Sequence, residues 1–485
     1  MQPRPPIVTI LGHVDHGKTT LLDYIRKSRL ADKEHGGITQ RIGAYEIATG
    51  IKGYKTDKIT FIDTPGHEAF SFLRARGANV ADLAILIIDA KDSVMPQTIE
   101  SIYHIKTAKI PFIVALNKSD LPDANPDKVK NDLLKQEVMV EGKGGDTPAL
   151  PISAKTGQGV QELLEMILLM ASDLNLTFDP KADPAAYIIE TKKDRRGIVV
   201  SAVIKNGQLR IGDDVFADGK KARIRSMLND LGHTVPTVLP STPFELTGFQ
   251  ELPDVGAMLT AKPLQQATEN IRPETSVIPQ KIDIAAFLTT KAEEKKLSLV
   301  IKADSQGSLE AINNTLAKNN KVKVILKSVG DVNKSDVFLA KTTGSVIVGF
   351  AVNITPEVRE LAKQEKVVIK TYNIIYELLE ELTEVTELMQ EKEEKEKYLK
   401  GEAKVLANFI IEGEKIYGVK VTKGKINLGD ELELYRQNKQ FGKSKLVSLR
   451  IRAKSVNEVK KDQEAGMILG STLDMQIGDV VKSIS

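Results

Sequence analysis

Residues 12–20 read GHVDHGKTT. Gly12 and Gly17, with four residues between them, are followed by Lys18 and Thr19, the spacing of a phosphate-binding loop. Without Cβ atoms at Gly12 and Gly17, the backbone N–H groups of the loop turn inward around phosphate oxygens. His13, Val14, Asp15 and His16 belong to the same cradle. Lys18 brings positive charge to the outer phosphates, and Thr19 offers a hydroxyl to Mg²⁺. A helix from Thr20 would direct its positive end at the same place.

A phosphate loop does not name its base. KITFIDTPGH contains Asp63-Thr64-Pro65-Gly66. Asp63 is placed to hold Mg²⁺ through water. The Gly66 N–H reaches a γ-phosphate, and its backbone freedom lets the segment rearrange when that phosphate leaves. NKSD contains Asn117, Lys118 and Asp120. The Asp120 carboxylate accepts from both N1–H and the 2-amino group of guanine, a donor pair that adenine lacks, so it selects GTP over ATP. Asn117 meets the other edge of the base and pins the loops. In Ser153-Ala154-Lys155, the Ala154 N–H meets the guanine O6. The ordered set points to a site for GTP and GDP with Mg²⁺.

These loops need a scaffold. The apolar runs 7–11, 59–62, 83–88, 112–116 and 149–152 alternate with helical patterns. Such alternation predicts a doubly wound, mostly parallel sheet with helices on both faces. Each run ends in one of the motifs, and ligands bind beyond the carboxyl ends of such strands. The fold class read from the chain is multidomain α/β plus β. A GTP-binding domain spans 1–173, and LNLTFDPKADP (174–184) reads as a linker. A β-barrel covers 180–263, an α/β domain 285–373, a connecting helix 374–400 and a second β-barrel 401–485. GQLRIGDD (207–214) recurs as GKINLGDE (424–431), which makes the two barrels relatives.

With 485 residues, 41% hydrophobic and 27% charged, the chain has the composition of a soluble multidomain protein. Net charge is +3, from 68 basic and 65 acidic residues. No cysteine is present, which excludes disulfides and thiolate metal sites and fits a reducing cytoplasm. The start, MQPRPPIVTILG, is not a signal peptide, and no run is long enough to span a membrane. In KSKLVSLRIRAKS, strand alternation would put Arg450, Arg452 and Lys454 on one face, a row suited to a nucleic-acid phosphate backbone.

The chain resembles the translational GTPases, which carry a histidine directly after DTPG, where this sequence has His67. The resemblance implies that His67 orients the attacking water. It also implies that Thr39, in GGITQ, closes over Mg²⁺ and the γ-phosphate. Val14 and Ile38 match an apolar gate around that histidine, and Asp15 matches a residue that helps hold a monovalent cation. Four of the six histidines, at 13, 16, 35 and 67, fall in these loops.

GGITQRIGAYEI and NKSDLPDANPDKVKNDLL are similar to stretches of the bacterial-type translation initiation factor two family. So are PSTPFELTGFQELPDVG, IKADSQGSLEAI, SVGDVNKSDV, KTYNIIYELLEE and EAGMILGSTLDMQIGDVV. The resemblance implies a GTPase that brings initiator tRNA to the small ribosomal subunit, promotes subunit joining and hydrolyses GTP when the ribosome activates it. It implies a cytoplasmic monomer with both ribosomal subunits as partners and no membrane. The variable amino-terminal region of the family is expected to be lacking, whether naturally or by trimming. The last barrel is expected to hold the acceptor end of the tRNA through Arg450, Arg452 and Lys454. Where the family carries a glutamate-cysteine pair, this chain has Ile468-Leu469, an aliphatic wall that implies weaker discrimination for a formyl group. Two alternatives are an elongation-type translational GTPase and a GTP-coupled metabolic transferase subunit. The second needs a further substrate pocket, for which no catalytic constellation follows residue 173.

Overall fold

The computed structural model describes residues 1–27, 39–40, 42–263, 296–397, 399–411, 414–437, 439–452, 454–471 and 473–484. By compactness the chain divides into a unit from Met1 to Leu379 and another from Glu380 to Ser485.

The first sheet has six strands in the order Gly43–Ala48, Lys58–Asp63, Ile7–Gly12, Leu83–Asp89, Phe112–Asn117, Ala149–Pro151. All neighbours run parallel except the first pair. Ile7–Gly12 and Leu83–Asp89 are buried at every residue, because helices cover both faces. On one face Leu21, Leu22, Leu163 and Ile167 pack on Val8, Ile10 and Phe61. On the other, Ile102, Ile105, Val129 and Leu133 pack on Leu11, Leu86 and Val114. The antiparallel edge strand GAYEIA was not expected. It sets Gly43 opposite Asp63 and so carries the Thr39 segment to the strand end that holds Asp63. The stretch 174–184 is not a free linker: Thr177–Phe178 pairs with Gln2–Pro3, and Phe178 is buried.

Residues 185–260 form a seven-stranded antiparallel sheet whose edge strands are Lys220–Arg223 and Ser226–Asn229. Only Ile224 and Arg225 separate these edges in the chain, so the sheet must curl into a barrel that meets there. Ile224 N bonds Asp213 O, and Arg225 N bonds Thr247 O. The following α/β portion has a parallel sheet ordered Val322–Val329, Leu297–Ala303, Val346–Phe350, Ile369–Tyr372. Residues 285–295 lie outside the described residues. The connecting helix runs Ile375–Lys397.

In the second unit, Leu399–Ile411 pairs with both Val480–Ile484 and Glu414–Asn427. That closes a barrel of six strands, through Glu431–Arg436, Lys439–Ile451 and Glu464–Leu469. The sequence repeat is one local turn used twice. Gly207 and Gly212 have φ of 68° and 97°, and Gly424 and Gly429 have 62° and 88°. Asp213 accepts from Arg210 N at 2.8 Å, and Asp430 accepts from Asn427 N at 2.8 Å.

The row of three basic residues on one strand face does not form. The strand Lys439–Ile451 has an irregularity between Leu446 and Ser448 and stops at Ile451. Arg452 lies in a turn at φ 47°, and the chain returns with Ile451 opposite Lys454 and Arg450 opposite Ser455. Directly opposed residues share a face, so Lys454 lies on the face of Ile451 and Arg450 on the other. All three are exposed. The aliphatic wall is also split: Leu469 is buried in the barrel core, while its neighbour Ile468 is half-buried on the other face.

Asp430 also accepts from Ser483 Oγ at 2.6 Å and Lys400 Nζ at 3.2 Å, so it ties the repeated turn to the first and last strands. Removing a buried acceptor with three donors costs about 2 kcal/mol or more. Asp430→Ala is therefore expected to lower the urea midpoint of the last barrel. An unchanged midpoint would mean that the turn forms without the carboxylate.

Candidate nucleotide-binding site

The phosphate loop needs its glycines. Gly12 and Gly17 sit at φ 154° and 97°, and a Cβ on either would come within 2.4 Å of Ile87 O or 2.2 Å of Asn117 Nδ2. The helix Lys18–Arg26 starts two residues earlier than expected, capped by Gly17, so its first N–H groups belong to the loop itself. Lys18 Nζ is buried and donates to Gly12 O at 3.0 Å and His13 O at 2.5 Å. Burial pushes its ammonium down to about 8, and a phosphate oxygen is the partner that suits such a cation. Burial, with His13 and Lys18 nearby, brings the His16 imidazole down to about 4, so that it is neutral near pH 7.

The three oxygens expected at a metal converge. Thr19 Oγ1 lies 2.8 Å from Thr39 Oγ1, which lies 3.4 Å from Asp63 Oδ2. Hydroxyl and carboxylate oxygens in this arrangement suit Mg²⁺. Gly66 approaches the loop so closely that a Cβ would stand 2.6 Å from Lys18 Nζ.

On the base side, Asn117 is buried and uses both ends of its amide. Nδ2 donates to His16 O at 2.7 Å, and Oδ1 accepts from Ala154 N at 2.9 Å. The Ala154 N–H is thus committed to Asn117, not open to a base as the sequence suggested. Lys118 pairs with Asp89 at 2.6 Å. A cavity of about 460 Å³ joins the loops, lined by Val14, Asp15, Gly17 to Thr20, Thr39, Gly66, His67, Asn117, Lys118, Asp120 and Ser153 to Lys155. Leu121 and Tyr376 complete its wall. Gly12, His13, His16, Asp63, Thr64 and Pro65 are not part of its lining. Thr64 turns its hydroxyl back to Ile10 O. Ile38 lies outside the described residues.

The residues that hold the DTPGH loop have no signal in the sequence. Arg74 is fully buried and donates to the carbonyls of Pro65, Gly66 and His67 at 2.7–3.1 Å. Its Nη2 donates to both carboxylate oxygens of Glu100, at 2.6 and 2.8 Å. Gln97 accepts from Val14 N at 2.9 Å, and Gln40 spans Asn373 O and Ile375 N. No local pattern marks an arginine that folds back under its own loop. The FLRARGA stretch offers only an arginine one turn into a helix.

Three family models match the chain: the Elongation factor Tu GTP binding domain over 4–173, Elongation factor G domain 2 over 183–262, and Translation-initiation factor 2 over 278–383. The Translation initiation factor IF-2 of Thermus thermophilus is 41% identical over 498 residues, 99% of this chain and 86% of that protein. The chain belongs to the translation initiation factor IF-2 family. IF-2 of Bartonella tribocorum is 42% identical over 501 residues, 100% of this chain and 59% of that protein. For Aquifex aeolicus IF-2 the values are 42%, 99% and 61%. The chain thus spans about three-fifths of the length of these two IF-2 relatives. Among solved structures, GDP-bound aIF5B from Aeropyrum pernix is similar at 26% identity and a TM-score of 0.49, covering 100% of this chain and 92% of that one.

The Arg74 clamp carries a pH signature. Burial alone would raise Glu100, but hydrogen bonds from His104, Arg74 and Ser71 bring it from 4.5 down to about 2. A carboxylate depressed in the folded state contributes stability that is present above its unfolded value and lost as pH falls through its folded value. The stability gap between the wild type and Glu100→Gln is therefore expected to be full above pH 4.5 and to shrink towards pH 2. Urea titrations at several pH values measure it, and a gap that does not change with pH would contradict the pairing.

Proposed function

We propose that this chain is a GTP-operated switch for translation initiation, which places initiator tRNA on the small ribosomal subunit, promotes subunit joining and hydrolyses GTP when the ribosome activates it. The observation that carries the nucleotide part is the convergence of Lys18, Thr19, Thr39, Gly66 and Asp120 on one cavity. Asp120 reads the guanine edge, Asn117 holds the loops around it, and Lys18 draws in the outer phosphates. Thr19, Thr39 and, through water, Asp63 would hold a Mg²⁺, which would supply positive charge to the phosphates. A monovalent cation beside Asp15 would add to that charge. Thr39 and Gly66 sense whether the γ-phosphate is present, and His67 orients the attacking water.

Among the described residues no arginine lines the cavity. Without that charge, intrinsic turnover is slow, roughly 10⁻⁴–10⁻² per second, and the ribosome must supply the rest. The match of 278–383 to the Translation-initiation factor 2 model favours initiation over elongation or a metabolic transferase. Arg450, Arg452 and Lys454 are exposed around one turn of the last barrel, and they offer positive charge to the acceptor end of the tRNA from both faces of that hairpin. The chain is proposed to act as a cytoplasmic monomer. Among the described residues no helix is long and apolar enough to cross a membrane.

The test is GTP hydrolysis by the chain alone, with small subunits, with large subunits and with both. Strong stimulation by the two subunits together is expected, and none at all would overturn the reading. His67→Ala is expected to keep GTP affinity while losing about 10²-fold or more of the stimulated rate. A parallel loss of GTP binding would make the histidine structural.

A further inference from the structure

His67 borders the nucleotide cavity, yet neither ring nitrogen is free to serve it. Nδ1 accepts from Ala69 N at 2.9 Å, so the imidazole serves as the cap of the short turn Glu68–Phe70. In the neutral ring this leaves the proton on Nε2. Nε2 is buried and has no hydrogen-bond partner among the described residues. An atom that opened into a cavity of this size would be accessible. The nitrogen that would face an attacking water is therefore covered.

The cover includes the first turn of the long helix. The Tyr376 ring lies 4.0 Å from the His67 ring, centre to centre, at 41°. Phe70 stands edge-on to the imidazole at 6.0 Å. Tyr376 also lines the cavity, and burial together with the Asp15 carboxylate pushes its hydroxyl upward. It is held in place from two sides. Ile375 and Leu378 are fully buried. Gln40, the residue after Thr39, accepts from Ile375 N at 3.0 Å and donates to Asn373 O at 2.9 Å. The segment that carries Thr39 is thereby fastened to the turn that carries Tyr376.

We propose that Tyr376 is a positioning residue that keeps His67 in a resting pose with Nε2 shut off from the cavity, restraining intrinsic GTP hydrolysis until the helix start is moved from the imidazole. This inference rests on the GTPase reading above. The restraint is graded. An aromatic contact of this kind shifts a two-position equilibrium by about 3- to 10-fold, which bounds the gain from removing it. The Gln40 bonds make the restraint depend on the Thr39 segment, since a displaced segment would release Asn373 and Ile375 together.

The experiment is single-turnover GTP hydrolysis by the full chain without ribosomes, with GTP affinity measured alongside. Tyr376→Ala is expected to raise the rate about 3- to 10-fold while GTP affinity stays within about twofold. Tyr376→Phe keeps the ring on His67 and is expected to recover most of the restraint. The double variant Tyr376→Ala, His67→Ala is expected to lose the gain. If Tyr376→Ala does not fold, Gln40→Ala carries the test, with a rise in the same direction expected. A rate that is unchanged or lower in a variant that binds GTP normally would overturn the inference, as would a gain that survives without His67. A wild-type chain that hydrolyses no GTP even with both ribosomal subunits would overturn the GTPase reading itself, so the two failures are distinguishable.

Discussion

One side-chain amide joins loops that are far apart in the chain. Asn117 sits at the end of a central strand and is almost wholly buried. Its Nδ2 reaches a carbonyl 101 residues earlier, in the phosphate loop, and its Oδ1 takes an N–H 37 residues later, in the SAK loop. Both bonds lie in a region shielded from water, where an unpaired amide would cost about 1–3 kcal/mol for each group left over. The phosphate loop and the SAK loop are consequently fixed relative to each other. Gly17 must be a glycine for the same reason, since a Cβ there would collide with the Asn117 amide. Lys18, Thr19, Asp120 and Ala154 take their positions from this tie.

The opposite side of the cavity is held by a different set of residues. Arg74 holds three successive carbonyls of the DTPGH loop from beneath and is itself held by Glu100. The loop thus has a firm floor. Above that floor, Gly66 comes close to Lys18 and Val14, and His67 lies against the Tyr376 ring. Gln40, next to Thr39, joins this side to the start of the long helix. The two sides are thus held differently, one by a single buried amide and the other by the arginine beneath the loop and by the Gln40 bonds to the helix start.

The loops were legible in the sequence because glycine spacing and carboxylate placement are dictated by phosphate and guanine chemistry. The sheet was legible because its central strands are apolar on both faces. GAYEIA was not, since glycine, alanine and glutamate in a half-buried edge strand leave no alternation to read. KSKLVSLRIRAKS misled for a related reason. Alternation assumes an unbroken strand, and neither the irregularity near Val447 nor the turn at Arg452 is announced by glycine or proline. Arg74, Gln40 and Tyr376 act through contacts that depend on the fold, so their roles have no local signature. The repeated GDD and GDE turns were legible because the aspartate bonds its own backbone three residues back.

The claim on which this account rests is that these loops form one site that reads guanine through Asp120. It is tested most directly by nucleotide competition with Asp120→Asn. The wild type is expected to bind GTP and GDP about 10⁴-fold more tightly than ATP, because a carboxylate facing adenine would be left without its donor pair. In Asp120→Asn the preference is expected to move to xanthosine triphosphate, whose extra carbonyl accepts from the new amide. A variant that keeps its guanine preference, or a wild type that binds ATP equally well, would contradict the account.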